Sequence, residues 1–395
     1  MRLLDISVRG AGDAVRLVGL VERGSPAEEI EVYFEFPARY RDFVALSADP
    51  FAIAMLVPAL RRAESLEILP PVSPRLHFEL PRVRDIWRAW YPSLPRIDIR
   101  TSARAESAPL RAQRAASFFS GGVDSFYTLL KYHGPETLPA PLTHLIYMRG
   151  IETKLERSVG VEASQRRAQD VAASLGLECI VGETNIRTQF RAHWERYYFG
   201  SGLAATAQAL AGGLGYVCIP SSYSYNHQVP HGSTALVDER YSTELLQIVH
   251  DGAELSRPEK VARMVAWDRE TVLGSLRVCM ENAGGAFNCG RCYKCVRTAV
   301  ALKVLGAWQD ARTFPDKSTA HWERVAAADH LFFTEENLAF AREHGADSDV
   351  MEALERVVRR ARRRQAVRVL VKSTPLRHLL PIARRASRWA GAARA

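Results

Sequence analysis

Two clusters of residues in this chain have types and spacings that do chemistry. The first is Ser117-Phe118-Phe119-Ser120-Gly121-Gly122-Val123-Asp124-Ser125. Adjacent glycines, Gly121 and Gly122, let the backbone turn sharply and approach a ligand. Asp124 or Ser125 then stands where it can open a helix, whose free N–H groups and dipole favour an anion. Ser120 and Ser125 add a hydroxyl on each side. Residues 115–119 are apolar and read as a buried strand, and residues 126–132 read as the start of a helix. Strand, S-G-G-x-D-S and helix together make a pyrophosphate cradle.

The second cluster is Cys279, Cys289, Cys292 and Cys295, spaced C-x9-C-x2-C-x2-C. Four thiolates at this spacing suit a tetrahedral Zn2+ ion. The two-residue gaps turn successive sulfurs toward one ion, and Gly290 eases the turn. No fifth ligand is apparent, so the site reads as closed and structural. An iron–sulfur cluster is the alternative that spacing leaves open. Cys179 and Cys218 fall in predicted strands and read as small core residues.

The hexapeptide at 120–125 resembles the loop of the PP-loop ATP pyrophosphatases, which cleave ATP between its α and β phosphates. It is not the G-x-x-x-x-G-K-[ST] loop of kinases and motor ATPases. Followed by C-x(8–9)-C-G-x-C-x2-C, it resembles the joint signature of 7-cyano-7-deazaguanine synthase and its relatives. The resemblance spans residues 115 to about 305. It implies a PP-loop fold with ATP, Mg2+ and Zn2+ as cofactors. Ser120, Gly121, Gly122, Val123, Asp124 and Ser125 would hold the phosphates. Tyr147 and Met148, at the end of the second strand, would help to hold adenine. Related enzymes read L-[ST]-K-x-E where a lysine meets phosphate. Here the segment is Leu255-Ser256-Arg257-Pro258-Glu259, with Arg257 in the lysine position and Lys260 one turn on as its competitor. Arginine keeps the charge and adds a fork for phosphate. The catalytic set is therefore Asp124, Ser125, Arg257 and Lys260.

The synthase's Y-P-D-C-type substrate loop is missing. Asn226, His227 and the serines and tyrosines of 219–227 replace it, which points to a divergent member with a different substrate. The expected reaction is ATP-dependent adenylation of a carboxylate or carbonyl, followed by attack of ammonia or an amine to give an amide or nitrile. The carboxylate belongs to a small molecule or a protein terminus. No glutaminase domain is seen, so the amine comes from solution or a partner. Two alternatives stand beside this reading. One is sulfur transfer to a nucleobase or small molecule, through a sulfur carrier or a cysteine pair, which Cys179 and Cys218 supply only if both reach the site. The other is a non-catalytic nucleotide- or nucleic-acid-binding protein.

Three segments must position these residues. Residues 1–105 read as an α+β module, with strands at 3–8, 14–21 and 29–36, a helix at 52–62, and further strands at 75–80 and 97–99. Val83, Ile86, Trp87 and Trp90 share one helical face and read as core. Residues 101–114 read as a linker. From 106 to 310, strands at 115–119, 143–148, 178–182, 216–220 and 245–249 alternate with helices at 124–133, 157–175, 190–198 and 203–214. That alternation implies a mostly parallel sheet covered on both faces, with ligands beyond the strands' carboxyl ends. The polar segments 219–227, 231–234 and 238–244 sit at such strand ends. Ser256 with Glu259 reads as a capping box opening another helix. Residues 311–395 read as a helical extension, helical over 333–364, with Pro375 and Pro381 breaking any longer helix.

The charge is uneven. Of 53 Lys and Arg, 13 lie from Arg356 onward, where there is no Asp or Glu; the other 40 stand against 44 acids, net −4. The basic tail could meet nucleic acid, an anionic membrane or an acidic protein. At 47% hydrophobic and 25% charged the composition is ordinary for a globular chain. No apolar run reaches the length of a membrane span, and the first residues lack a signal-peptide core. Few cysteines, mostly clustered, fit a reducing, cytoplasmic setting. A homodimer is among the expectations.

Overall fold

The computed structural model describes residues 1–104, 112–151, 155, 161–279, 287–315, 317 and 331–372, with 368–372 described by backbone alone. The chain divides into two compact units, Met1–Val278 and Cys279–Ala395.

The first unit is α/β. Its strands are β1 Arg2–Ala11, β2 Ala14–Arg23, β3 Glu28–Pro37, β4 Leu66–Ile68, β5 Ile99–Arg100, β6 Ala115–Phe118, β7 Leu142–Arg149, β8 Glu178–Thr184, β9 Tyr216–Pro220 and β10 Gln247–Asp251. They form one ten-stranded sheet of order β10-β9-β6-β7-β8-β3-β2-β1-β4-β5. Pairing is parallel from β10 to β8, antiparallel through β3, β2 and β1, and parallel again to β4 and β5. The helices are α1 Asp49–Arg62, α2 Pro74–Trp90, α3 Val123–His133, α4 Val161–Ser174, α5 Ile186–Phe190, α6 Phe199–Ala209, α7 Ala235–Asp238, α8 Arg257–Trp267 and α9 Arg269–Ser275.

The chain does not part at 105–106 as the sequence suggests. Phe34 and Glu35 of β3 pair with Thr184 and Glu183 of β8. The Tyr33 N–H donates to Asn185 Oδ1 at 3.0 Å, and Thr184 Oγ1 donates to the Tyr33 carbonyl at 2.7 Å. β3 therefore covers the β8 edge, which would otherwise present unpaired backbone groups. One apolar core follows, running from Leu3 and Phe34 through Met148 and Ile180 to Ile248. Residues 105–111 of the expected linker lie outside the described residues.

Three local expectations are corrected. Residues 75–80 are not a strand but the first turns of α2. Ser73 caps that helix, accepting from the Leu76 N–H at 3.2 Å, and Leu76, Leu80, Val83 and Trp87 are its buried stripe. A six-residue window hides that 3.6-residue period. Residues 190–198 are not one helix, because Arg191 adopts φ 49° and separates α5 from a π-turn at Trp194–Tyr198. The expected helix at 333–364 is two, described next.

The second unit holds the four cysteines and α10 Tyr293–Val304, α11 Leu331–Glu343 and α12 Ser348–Lys372. Gly345, at φ 61°, lies between α11 and α12. Val296 and Val300 of α10 pack with Leu338 and Ala341 of α11 and with Val350, Leu354 and Val358 of α12. The expected boundary at 310–311 therefore moves to 278–279. The cysteine cluster belongs with the helical extension because α10 carries both a cysteine and that core. Pro375, Pro381 and the tail from 373 lie outside the described residues.

Candidate active site and metal centre

The order β8-β7-β6-β9-β10 reverses direction between β6 and β9. In open α/β sheets such a switch point, at the carboxyl ends of the strands, is where a crevice forms. The S-G-G-V-D-S loop leaves β6 there, and the loop after β9 faces it. Gly121 takes φ 79°, which an L side chain resists. The Ser120 N–H donates to Ser125 Oγ at 3.3 Å, the Gly122 N–H to Ser120 Oγ at 3.4 Å, and Ser125 Oγ to the Gly122 carbonyl at 3.1 Å. Gly122 caps α3, so the first-turn N–H groups are those of Val123, Asp124 and Ser125. Phe119 is pinned to β7 by its N–H bond to the Ile146 carbonyl at 3.0 Å.

The sequence leaves Arg257 and Lys260 as competitors, and the structure brings in both. Three residues apart, they share one face of α8. Arg257 Nη2 donates to Asp124 Oδ2 at 2.5 Å, and Lys260 Nζ stands 3.5 Å from Asp124 Oδ1. The expected capping box fixes the start of α8: the Ser256 N–H donates to Glu259 Oε2 at 2.7 Å. Lys260 is 1% exposed and also donates to the Ser221 carbonyl at 2.7 Å. Burial lowers its pKa below the ordinary lysine value, with the neighbouring Arg257 charge adding to the fall and Asp124 opposing it. Ser222 Oγ donates to Asp124 Oδ2 at 3.3 Å, so the polar loop after β9 does reach the cradle. Two buried cations on one carboxylate leave the pocket net positive, which suits a polyanion.

Tyr147 and Met148 end β7 as expected, and both are buried. Met148 belongs to the core beside Phe36 and Gly182. Tyr147 is on the opposite face and donates to the Val161 carbonyl at 3.4 Å. Asn226 is exposed at the outer part of its loop, and the His227 ring lies 5.9 Å from that of Tyr223. Cys179 and Cys218 are not brought together. In register, Cys218 faces Ser117, Ser117 faces Leu145, and Leu145 faces Cys179. Three inter-strand steps are about 14 Å. Burial pushes the Cys179 thiol up to about 12, and burial raises the Cys218 thiol well above the ordinary cysteine value as well.

Sequence reasoning missed three supports of this site. The Arg277 N–H donates to the Gly121 carbonyl at 2.7 Å, clasping the loop from outside. Behind α3, Lys131 Nζ donates to Asp251 Oδ1 at 2.9 Å and Glu254 Oε1 at 2.8 Å, while Thr128 and Tyr132 also donate to Asp251. Burial opposes charge there, yet the two carboxylates outweigh it and raise the Lys131 pKa. On the other face of the sheet, His250 Nδ1 lies 2.9 Å from Asp238 Oδ2 and His250 Nε2 lies 2.9 Å from Ser221 Oγ. All three residues are buried, and Ser221 Oγ donates to the Tyr223 carbonyl at 2.7 Å. This row holds Ser221, and hence the acceptor of Lys260; it is not built to attack a substrate. Asp238 lies in the polar segment 238–244 visible in the sequence and His250 just past the expected strand 245–249, but their pairing needs the fold.

In the second unit the Sγ atoms of Cys279, Cys289, Cys292 and Cys295 all lie within 4.8 Å of one another. These cysteines could hold a metal ion, as expected. Gly290 takes φ 69°, and the N–H groups of Arg291 and Cys292 donate to Cys289 Sγ at 3.4 and 3.3 Å. Such bonds stabilise a thiolate. Cys292 caps α10 and Cys295 lies in its first turn. Asn288, unnoticed in the sequence, is fully buried. Its Oδ1 accepts from the Cys279 N–H at 3.2 Å and its Nδ2 donates to Thr313 Oγ1 at 3.0 Å. It thereby ties the distant first cysteine to the knuckle, as an outer-shell residue does. Four sulfurs and no carboxylate or imidazole in the cluster favour zinc among structural ions.

Comparison of the chain with family models, with curated proteins and with solved structures found no match. Among the described residues, no helix is long and apolar enough to cross a membrane.

Proposed function

We propose that the chain binds ATP at the β6/β9 switch point, cleaves it between the α and β phosphates, and passes AMP to a substrate carboxylate or carbonyl. A carboxylate oxygen attacks the α phosphorus as the bond to pyrophosphate breaks. Ammonia or an amine then attacks the acyl carbon, AMP leaves, and an amide forms; a nitrile would need a second activation of that amide. The carrying observation is the placement of Arg257 and Lys260 on Asp124, beside a glycine loop that opens a helix. The resemblance of this loop to the PP-loop, with the cysteine cluster downstream, supports the same reading.

No side chain need bond covalently, so the chain's part is positioning and charge neutralisation. The loop and first-turn N–H groups cradle phosphate. Arg257 and Lys260 neutralise the charge that builds on departing pyrophosphate. Asp124, Ser120 and Ser125 offer one carboxylate and two hydroxyls. That oxygen set fits Mg2+, which would arrive with the nucleotide and supply further neutralisation of phosphate charge. By the resemblance, adenine would lie at the end of β7, beside Tyr147 and Met148 or the β7 backbone. The separation of Cys179 and Cys218 does not favour transfer of sulfur through a cysteine pair.

The test is a pyrophosphate-release screen over carboxylic acids, each with ammonia, amines or sulfide. The expected result is pyrophosphate and AMP in equal amounts, dependent on one acid and on ATP. Release of ADP and phosphate instead, or products that require sulfide, would overturn the reading.

A further inference from the structure

The catalytic reading leaves the outer face of α12 unused. Arg356, Arg359, Arg360 and Arg363 share one face through the three- and four-residue spacings 356/359, 360/363, 356/360 and 359/363, opposite the buried stripe of Val350, Leu354, Val358 and Ala361. Arg364 flanks them. Arg356 pairs with Glu352 and Arg359 with Glu355, and Arg362 turns to Glu335 of α11. Among the described residues, Arg360, Arg363 and Arg364 have no ion-pair partner and are exposed.

Two ordinary explanations fail. Cations near a helix C-terminus complement its dipole, but that effect fades within the last turn. These arginines lie two turns and more before Lys372, where α12 ends. Arg356 and Arg359 support the helix through their pairs with Glu352 and Glu355, but Arg360, Arg363 and Arg364 do not serve it. Arg356 with Arg360, Arg359 with Arg363, and Arg360 with Arg364 are like charges four residues apart, which weakens a helix. An external anion removes that repulsion. A bilayer surface wants an apolar stripe beside the cations. Here the apolar stripe is used inside the unit, and Val367 is the exposed large apolar residue of this stretch.

We propose that the outer face of α12 binds the phosphodiester backbone of a nucleic acid, with Arg360 and Arg363 as its central phosphate contacts. Arg356 and Arg359 exchange their exposed carboxylate partners for phosphates as the strand docks.

The full-length chain is titrated against fluorescently labelled duplex and single-stranded RNA and DNA by anisotropy, between about 50 and 200 mM salt. The wild type should bind, and log K should fall linearly with log salt. On duplex DNA, Arg360→Ala with Arg363→Ala should reduce that slope by about 1.8, since each phosphate contact carries about 0.9. Both residues are exposed, so an unchanged circular-dichroism spectrum verifies the fold. A charge reversal, Arg360→Glu with Arg363→Glu, should abolish binding at the upper salt limit. No binding at low salt overturns the proposal. So does an unchanged slope in the double variant, with binding lost instead on removal of residues 373–395. Binding to phosphatidylserine vesicles without binding to any nucleic acid overturns it too.

Discussion

Arg257 donates to the Asp124 carboxylate across 2.5 Å, although 133 positions separate them in the chain. The bond spans the switch point, from the second residue of one strand's following helix to the first residue of another's. Removing the guanidinium takes away a charge that pyrophosphate would need. Arg257→Ala should lower pyrophosphate release about 10²–10³-fold, the range for losing one pre-organised donor. Arg257→Lys should recover part of it, because the charge returns without the fork. Equal turnover in Arg257→Ala and wild type would remove Arg257 from the site.

Lys260 should give the site an alkaline limit. Its pKa lies below the ordinary lysine value of 10.5, chiefly through burial. A lowered lysine pKa means that the positive charge is lost earlier as pH rises. ATP affinity should therefore decline at a pH below that of a free lysine, and Lys260→Arg should move the decline upward. Isothermal titration across the alkaline range reads both. An affinity flat to pH 10.5 would exclude Lys260 as a phosphate contact.

The Lys131 cluster should govern stability more than chemistry. Asp251 and Lys131 are both nearly inaccessible, with 3% and 8% of their side chains exposed. Lys131→Met strands a buried carboxylate and should cost about 3–5 kcal/mol. Burial acts against the Glu254 charge, but Lys131 and Tyr127 hold its carboxyl below 4.5. A depressed carboxyl contributes stability above its unfolded value and loses it as pH falls through the folded one. Acid should thus erode the wild type below about pH 4.5, with less of that slope in Glu254→Gln. Chemical denaturation at several pH values is the check.

His250 joins the buried Asp238 to Ser221, whose carbonyl accepts from Lys260. His250→Ala should destabilise the first unit by about 2–3 kcal/mol, by leaving Asp238 short of a donor. It should also weaken ATP binding while sparing turnover at saturation, since Lys260 loses its anchor and not its charge. His250→Asn, which keeps a donor toward Asp238, should recover stability. An unaltered Kd for ATP in His250→Ala would confine this row to folding.

The four cysteines should hold one zinc per chain in purified protein, read by elemental analysis. Cys292→Ser should lose it, and Asn288→Ala should weaken retention about 10–100-fold against a chelator, as outer-shell losses do. Iron with sulfide in place of zinc would change the identity of the centre, and less than half an equivalent of any metal would argue that none resides there.

Much of this site is legible without the fold because it is local. The turn at Gly121 and Gly122, the hydroxyls of Ser120 and Ser125, and the cap of Ser256 on Glu259 are each complete within six residues. Local spacing likewise assembles Cys289, Cys292 and Cys295. The ordering of strands and helices also shows, since a period of two or of 3.6 is a property of short windows. What the tertiary structure decided is everything carried by pairing between distant strands and by burial. Register puts Cys179 and Cys218 three strand spacings apart, and it sets β3 against β8 so that no boundary falls at 105. Burial turns Arg257 and Lys260 from rivals into partners, because only in the packed state does one face of α8 close over Asp124. The roles of Asn288, Asp238 and His250 are silent in the sequence for the same reason. A lone amide or imidazole acquires its role from the group it meets when water is excluded, and that group is chosen by the fold.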